Sequence, residues 1–379
     1  MNPTFASITA ALSQNNGLIR LANTGPDASE YLLTTYLPSI QRPDYNISGG
    51  VLKVQTIMAG LVGMDSPYPR GSAIQLSTFT EKTAKIAMSV GLSEESRREL
   101  NRFIQFAKLG QLNGQTEADV LSAAALNLYE KGCIQAIDDT EEYLRAQALT
   151  TGALNWTFNG KTLAVDYQLP AGNKFAQRTG SDSYGGSTSK FWTDAILADQ
   201  TVLGAVGYVM SMSTLNMIIN NPANNIRVIA DTYSPQRNIR RVQIVRAVQT
   251  AQGISVGTDT DARYALTLIA YARKGQIIDP TTPGATIGVQ MIPDGVISVV
   301  GQQEANQLIS VDGTAVPQYR LGYFHVAPTV EGENVGSPLG RWGRLYTPQD
   351  RPWEVQAEAV ENGLPVIEAP ERLVILRTA

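Results

Sequence analysis

Asp259-Thr260-Asp261 sets two carboxylates close enough to share a divalent cation, the most suggestive pairing of ligands in this chain. No third acidic residue lies nearby and Gly257 marks a turn, so a turn is the favoured reading, with a metal-dependent enzyme using Asp259 and Asp261 as the alternative. Asp138, Glu141 and Glu142 share a helical face, a spacing that serves a catalytic carboxylate pair or an acidic strip. Arg145 follows Glu141 by four residues in the favourable order for a helical ion pair, which favours a strip paired within the helix or with a neighbouring subunit. His325 is the only histidine, so multi-histidine metal sites are excluded, and its strand-like setting in Tyr323-Phe324-His325-Val326 gives it a structural role. Gly180–Lys190, GSDSYGGSTSK, superficially looks like a phosphate loop, but Lys190 follows serine rather than glycine, and a flexible linker is expected. Cys133 is the single cysteine, which rules out an internal disulfide framework and suits a small core residue. Neither a catalytic residue nor a cofactor or metal is expected.

The elements that position these groups begin with a long helix. Thr116 as N-cap, Glu117 and Asp119 in the first turn, and apolar residues from Val120 to Ala148 at three- and four-residue spacing predict one helix from Thr116 to Gly152. At about 1.5 Å per residue it spans roughly 50 Å, a length that suits an extended plate. Gly132 costs about 1 kcal/mol against alanine and marks Lys131-Gly132 as the place to bend or break. The helix runs into a hairpin, Leu154–Phe158 and Lys161–Tyr167, turning at Asn159-Gly160.

Residues 1–48 read as an arm with short helical stretches at Thr4–Leu12 and Asp27–Leu37. Residues 49–91 alternate as an outgoing strand, a Gly- and Pro-rich tip at Gly60–Gly71 and a returning strand, which together make a projecting loop. A short helix from Ser93 to Lys108 follows. Beyond the Gly/Ser/Thr-rich stretch Gly172–Ser189 the chain changes to α/β alternation, with helices expected at Phe191–Val206, Ser213–Asn220 and Pro235–Thr250. Strands are expected at Tyr208–Ser211, Arg227–Ile229, Gly253–Val256, Gly284–Val300, Tyr319–Val326, Glu354–Ala359 and Arg372–Arg377.

With 379 residues, 43% hydrophobic and 17% charged, the chain can bury a sizeable core. Its net charge of −4 supplies no global basic field for nucleic acid. The exception is segment 225–275, where eight bases meet three acids; Arg237, Arg240 and Arg241 fall on about one turn of the expected helix and are placed to meet phosphate or an acidic neighbour. No apolar run approaches the roughly 18 residues of a membrane helix. The N-terminus lacks the basic and apolar regions of a signal peptide, so a cytoplasmic chain is expected.

Several segments, taken in order, resemble the lambda-like major capsid proteins of tailed phages, the E family, with the Hong Kong 97 fold. They are Glu142-Tyr143-Leu144-Arg145 through Gly152, Val165-Asp166-Tyr167, Trp192-Thr193-Asp194, Met210-Ser211 with Asn221-Pro222, Ile292-Pro293-Asp294-Gly295-Val296, Asp350-Arg351-Pro352, Gly363-Leu364-Pro365-Val366 and Ala369-Pro370-Glu371. The resemblance implies an α+β, Hong Kong 97-like capsid fold. Its parts are an N-terminal arm (1–48), an extended loop (49–91), a peripheral domain (92–189 and 329–379) carrying a spine helix (116–152), and an axial α/β domain (190–328).

The function implied is self-assembly as hexamers and pentamers into an icosahedral shell around double-stranded DNA, with no enzymatic activity. An encapsulin-like protein compartment is the alternative within the same fold. Implied partners are other copies of the chain, a separate scaffolding protein, a portal, a decoration or cement protein, and packaged DNA held weakly and without sequence preference. The implied location is the virion capsid, assembled in the host cytoplasm. Candidate inter-subunit contacts are Lys53, Lys82 and Lys85 in the loop, Asp138, Glu141, Glu142 and Arg145 on the spine, and Arg237, Arg240 and Arg241.

Overall fold

The computed structural model describes residues 31–44, 46–54, 74–91, 94–109, 116–158, 161–250, 253–255, 265–278, 286–301, 308–311, 314–317, 321–334, 340–346 and 356–379. The helix expected at Thr4–Leu12, the loop tip at Gly60–Gly71 and Asp259-Thr260-Asp261 lie outside these residues. Of the helix expected at Asp27–Leu37, the described part is a single 3-10 turn, Leu32–Thr35, followed by β1 (Ser39–Gln41).

β2 (Asn46–Val54) and β3 (Ile74–Lys82) pair antiparallel, Asn46 opposite Lys82 and Val54 opposite Ile74. Among the described residues neither strand pairs with anything else. The return of the loop does not continue to Gly91 as expected. β4 (Ala84–Gly91) instead leaves the hairpin and joins a sheet formed with the C-terminal part of the chain.

After α1 (Glu94–Lys108), the spine is helical without interruption through α2 (Glu117–Tyr129), a π turn at Glu130–Ile134 and α3 (Gln135–Thr151). Thr116 and Asp119 cap it reciprocally: the Thr116 side chain accepts from the Asp119 amide, and the Asp119 carboxylate accepts from the Thr116 amide at 2.8 Å. Gly152 ends it at φ 67°, the left-handed conformation glycine enters at least cost, and donates to the Ala148 carbonyl. At Gly132 the helix widens by one π turn rather than breaking. β5 (Ala153–Phe158) and β6 (Lys161–Asp166) close with Phe158 opposite Lys161, the register a two-residue connection demands; Asn159-Gly160 itself lies outside the described residues.

The axial sequence forms α4 (Phe191–Val202), β7 (Ala205–Met210), α5 (Met212–Asn220), β8 (Ile226–Ser234) and β9 (Ile239–Arg246). A small hairpin of β10 (Val248–Thr250) and β11 (Gly253–Ser255) precedes β12 (Leu266–Tyr271). The ladders β13 (Lys274–Ile278) with β14 (Thr286–Gln290) and β16 (Leu308–Val311) with β17 (Thr314–Pro317) flank β15 (Val296–Gly301). The chain ends with β18 (Gly322–Ala327), α6 (Val330–Asn334), β19 (Trp342–Tyr346), β20 (Gln356–Ile367) and β21 (Leu373–Arg377).

Two sheets organise the molecule. The six-stranded sheet has the order β21-β15-β7-β12-β9-β8, and the five-stranded sheet β1-β18-β20-β19 with β4 also on β20. The helix expected at Pro235–Thr250 is a correction: Pro235–Asn238 is the turn of a β8–β9 hairpin, with Asn238 at φ 54°. The period is two, because Val242 and Ile244 are buried while Arg241 and Gln243 between and beside them face out, and β9 is held between β8 and β12. The tail divides between the sheets: β20 joins the five-stranded sheet, and β21 joins the six-stranded sheet, where it pairs with β15.

The flexible linker expected at Gly172–Ser189 is instead packed. Lys174 and Arg178 bridge to Ile375 and Thr378, the Asn173 amide donates to the Leu373 carbonyl at 2.8 Å, and Tyr184 is fully buried. Glycine and serine here permit close backbone approach, and the tail strand supplies the partners that sequence neighbours lack.

One apolar cluster lies between the spine and the five-stranded sheet, including Tyr129, Ile137, Leu144, Leu149, Phe324, Leu364 and Val366. Its second member, centred on Phe191, Tyr208, Leu215, Val242, Leu268, Val299 and Leu376, packs the axial helices on their sheet. Gly343 lets β19 approach the spine, since a Cβ there would lie 2.2 Å from the Tyr129 hydroxyl. Leu144 is completely buried, so Leu144→Ala is expected to lower subunit stability by about 2–5 kcal/mol, read as a shift in the urea midpoint at unchanged slope.

Candidate functional site

Four polar positions on α3, Asp138, Glu141, Glu142 and Arg145, project into the interior. At about 100° per residue, Glu141 falls within the arc of Ile134, Ile137, Leu144 and Ala148, and Arg145 lies at its edge beside Ile134. The helix therefore buries charge together with its apolar stripe. Glu141, Glu142 and Arg145 have no exposed surface, and Asp138 is 8% exposed.

Arg145 donates from Nε to the Leu37 carbonyl at 2.8 Å and from Nη2 to Ser39 at 2.6 Å and Glu141 at 2.5 Å. Its guanidinium also lies 4.7 Å from the Phe324 ring centre. Glu142 faces Arg145 at 3.7 Å and accepts from the Leu33 amide at 3.0 Å. Arg341, just before β19, bridges three carboxyls: Asp138 at 2.6 Å, Glu141, and Glu361 on β20. On the rim, Asp139 pairs with Arg273 at 2.7 Å, and Arg273 lies over the Tyr31 ring at 4.2 Å.

The electrostatics follow from closure to water. Burial pushes the Asp138 carboxyl up to about 6 against the pull of Arg341. Burial also raises Glu361, and the neighbouring Glu141 charge adds to it, so that it reaches about 8 despite Arg341. Glu141 is desolvated equally, but Arg341 and Arg145 together prevail and hold it well below the ordinary carboxylate range.

This arrangement corrects the acidic strip. The expected Glu141–Arg145 helical pair forms, but Glu141, Glu142 and Arg145 face the subunit's own interior and offer no surface to a neighbour. The wheel position of Glu141 and Arg145 was a signal available in the sequence; Arg341 and Glu361 carried none, being about two hundred residues away from Glu141.

The basic candidates do not converge. Arg237 is exposed in the β8–β9 turn, Arg240 is paired with Asp231 at 2.7 Å, and Arg241 is the next residue along β9. Adjacent strand residues face opposite sides, so Arg240 and Arg241 cannot grip one phosphate together. Lys85 is exposed and pairs with Glu331 at 2.6 Å. Lys53 and Lys82 sit on β2 and β3, opposite Gln75 and Asn46. His325 is buried, donates from Nε2 to the Asp44 carbonyl at 2.7 Å, and is shifted down by burial, consistent with a structural role.

Among the described residues no cluster of three or more His, Cys, Asp or Glu is arranged to hold a metal. No helix among them is long and apolar enough to cross a membrane. The loop at Gly180–Lys190 is closed on itself, with Asn221 and Asn224 donating to the Tyr184 carbonyl and Arg178 clamped on Asp194 at 2.6 Å. A groove of about 600 Å³ on the β4–β20–β19 face has its charges mutually paired, Lys85 with Glu331 and Arg344 with Glu358.

Removing Arg341 leaves Asp138 and Glu361 buried without a counter-charge and Glu141 with Arg145 alone. Arg341→Met is therefore expected to destabilise the subunit by about 3–5 kcal/mol, and Glu141→Lys to prevent folding altogether, both measured by circular dichroism and urea unfolding.

No protein-family model and no curated protein sequence matches the chain. Solved structures do. A protein assigned as the capsid protein of a prophage in Escherichia coli CFT073 superposes with a TM-score of 0.54 at 14% identity, covering 96% of this chain and 98% of its own. A phage-related protein from Bordetella bronchiseptica RB50 gives 0.47 at 10% identity, with 95% of each chain covered. The virus-like particle from Pyrococcus furiosus gives 0.38 at 10% identity, with 95% and 96% covered. Along nearly its whole length, the chain has the α+β fold of the Escherichia coli prophage protein.

Proposed function

We propose that this chain is the major capsid protein of a tailed phage or prophage, a structural subunit that assembles as hexamers and pentamers into an icosahedral shell around double-stranded DNA. The observation that carries this reading is the end-to-end match to the prophage capsid protein, 96% of one chain on 98% of the other at a TM-score of 0.54. A fold shared over nearly the whole of both chains suits a role that resides in the whole surface.

Features of the free subunit support it. The β2–β3 hairpin pairs only with itself among the described residues, and two strands alone are marginal in water, so a neighbour's surface is its natural support. Leu203, at the end of α4, adopts φ 58° and is 71% exposed. A leucine costs about 1–2 kcal/mol in that left-handed conformation and gains nothing by burial within the subunit. Leu197 and Val206 beside it are also at least half exposed, at 50% and 53%.

In this reading residues 1–48 are the arm, 49–91 the extended loop with its projecting part ending near Lys82, 92–189 and 329–379 the peripheral domain, and 190–328 the axial domain completed by β21. A scaffolding protein, a portal and a decoration protein are the further partners, the virion capsid is the location, and the host cytoplasm the place of assembly. DNA is contained by geometry, since a net charge of −4 and dispersed arginines favour only weak, salt-sensitive phosphate contacts.

Electron microscopy of the chain expressed with a scaffolding protein tests the assignment: closed shells of uniform size are expected, and a chain that stays monomeric under assembly conditions overturns it. Replacing Val51–Ser77 by Asn-Gly, which joins the Gly50 and Thr78 pair, is expected to leave a folded subunit that forms no shells. Leu203→Asn, a residue better suited to the left-handed conformation, is expected to keep subunit stability within about 1 kcal/mol while lowering assembly yield.

A further inference from the structure

The cluster under the spine contains four carboxyls, Asp138, Glu141, Glu142 and Glu361, against two guanidiniums, Arg145 and Arg341, and all six side chains are buried. Fully ionised, it would hold uncompensated negative charge in a place closed to water, a state proteins avoid by retaining a proton. The position of that proton can be read from the hydrogen bonds. Arg341 draws Glu141 and Glu361 onto one guanidinium, and two ionised carboxylates brought together there are acceptors only, with nothing to donate to each other. Glu361 Oε2 accepts from Arg341, whereas its Oε1 is buried with no donor to satisfy it. Glu141 accepts from Arg145, Ser39 and Arg341, so it is the better-supported anion.

We propose that Glu141 and Glu361 share one proton in the folded subunit at neutral pH, Glu361 as the acid and Glu141 as the carboxylate, and that this pair locks the tail strand to the spine. The remaining groups around it are accounted for. From the spine come Asp138, held by Arg341, Glu142, held by Arg145 and the Leu33 amide, and the buried Tyr129 and Cys133. From β18 come Tyr323 and His325, which pair with Val366 and Leu364 of β20. From β4 comes Lys85, opposite Asn362 and bound to Glu331 of α6; along β20 itself Glu358 is bound to Arg344 of β19. Of the cluster's carboxyls Glu141 has the most donors, while Glu361 Oε1 and Glu142 Oε2 are buried without one, and Glu361 is the one that shares Arg341 with Glu141.

A proton bound in the fold and released on unfolding makes stability depend on pH. The folded-state value of Glu361 lies above the ordinary glutamate range, so the stabilisation it carries is complete below that range and is lost as pH rises towards about 8. Asp138 acts in the same sense only up to about 6. His325, shifted down, acts in the opposite sense below its ordinary value of about 6.5. The Glu141 contribution is lost only in strong acid. Glu142, raised by burial, acts in the same sense as Glu361. Between roughly pH 6.5 and 8 the unfolding equilibrium constant of the full-length chain is therefore expected to rise with pH, with about tenfold per pH unit carried by the pair.

Glu361→Gln keeps an amide donor for Glu141 and an acceptor for Arg341 but has no proton to lose. Urea unfolding across this window is expected to show the rise in the native chain and a rise smaller by about tenfold per pH unit in Glu361→Gln. The same slope in both proteins overturns the proposal. Infrared spectra of the native chain at pH 7 give a reading that does not depend on the variant folding: the carbonyl stretch of a buried protonated carboxylic acid supports the shared proton, and its absence overturns it.

Discussion

Burial of Arg145 and Arg341 is the interaction on which the rest of the peripheral half depends. A guanidinium removed from water is tolerated only when carboxylates and carbonyls surround it, and neither arginine can find enough of them on its own element. Arg145 takes two carboxylates, Glu141 and Glu142, from its own helix but needs Leu37 and Ser39 from the N-terminal segment. Arg341 needs Asp138 and Glu141 from the spine and Glu361 from β20. The cluster is therefore satisfied only when these distant segments meet in one register. A shift of β20 by one residue would turn Glu361 away and leave the Arg341 Nε without its carboxylate. Buried apolar contacts supply most of the driving force here, and the ionic cluster selects which packing is acceptable.

The axial half is organised differently. Its core is apolar, and its sheet is completed by β21, which arrives from the far end of the chain to pair with β15. The packed segment 172–189 depends on that same strand through the Lys174 and Arg178 bridges and the Asn173 amide. Because the tail contributes β20 to one sheet and β21 to the other, the two halves are joined by continuous, hydrogen-bonded chain. Leu203, exposed and in the left-handed conformation, lies outside this join, at the end of α4.

The division between local and long-range information explains what could be read in advance. Thr116 with Asp119, the three- and four-residue apolar spacing and Gly152 are local signals, and the spine from 116 to 152 was legible from them, as was the β5–β6 ladder from its alternation and Asn-Gly turn. The α+β fold was legible through the order of many short segments. The candidate site was legible only in part. Glu141 and Arg145 were identified as a helical pair, but their direction was not, because an acidic face looks outward unless its partners are known.

The amino-acid sequence by itself determined the caps, the helix and strand periods, and, through its single histidine and single cysteine, the exclusion of a multi-histidine site and of an internal disulfide. Tertiary structure decided everything whose partner is far away in the chain. Residues 235–250 satisfy both a helical and a strand pattern, and β12 and β8 on either side settle it as β9 and its turn. Residues 172–189 have the composition of a linker, and the tail strand orders them by supplying hydrogen bonds their neighbours lack. Asp138, Glu141 and Glu142 have the composition of a solvated strip, and Arg341, about two hundred residues further on, makes their burial affordable. The reason is the same in each case: a local pattern sets which conformations a segment can adopt, and the desolvation of its polar groups, which only distant partners can offset, selects among them.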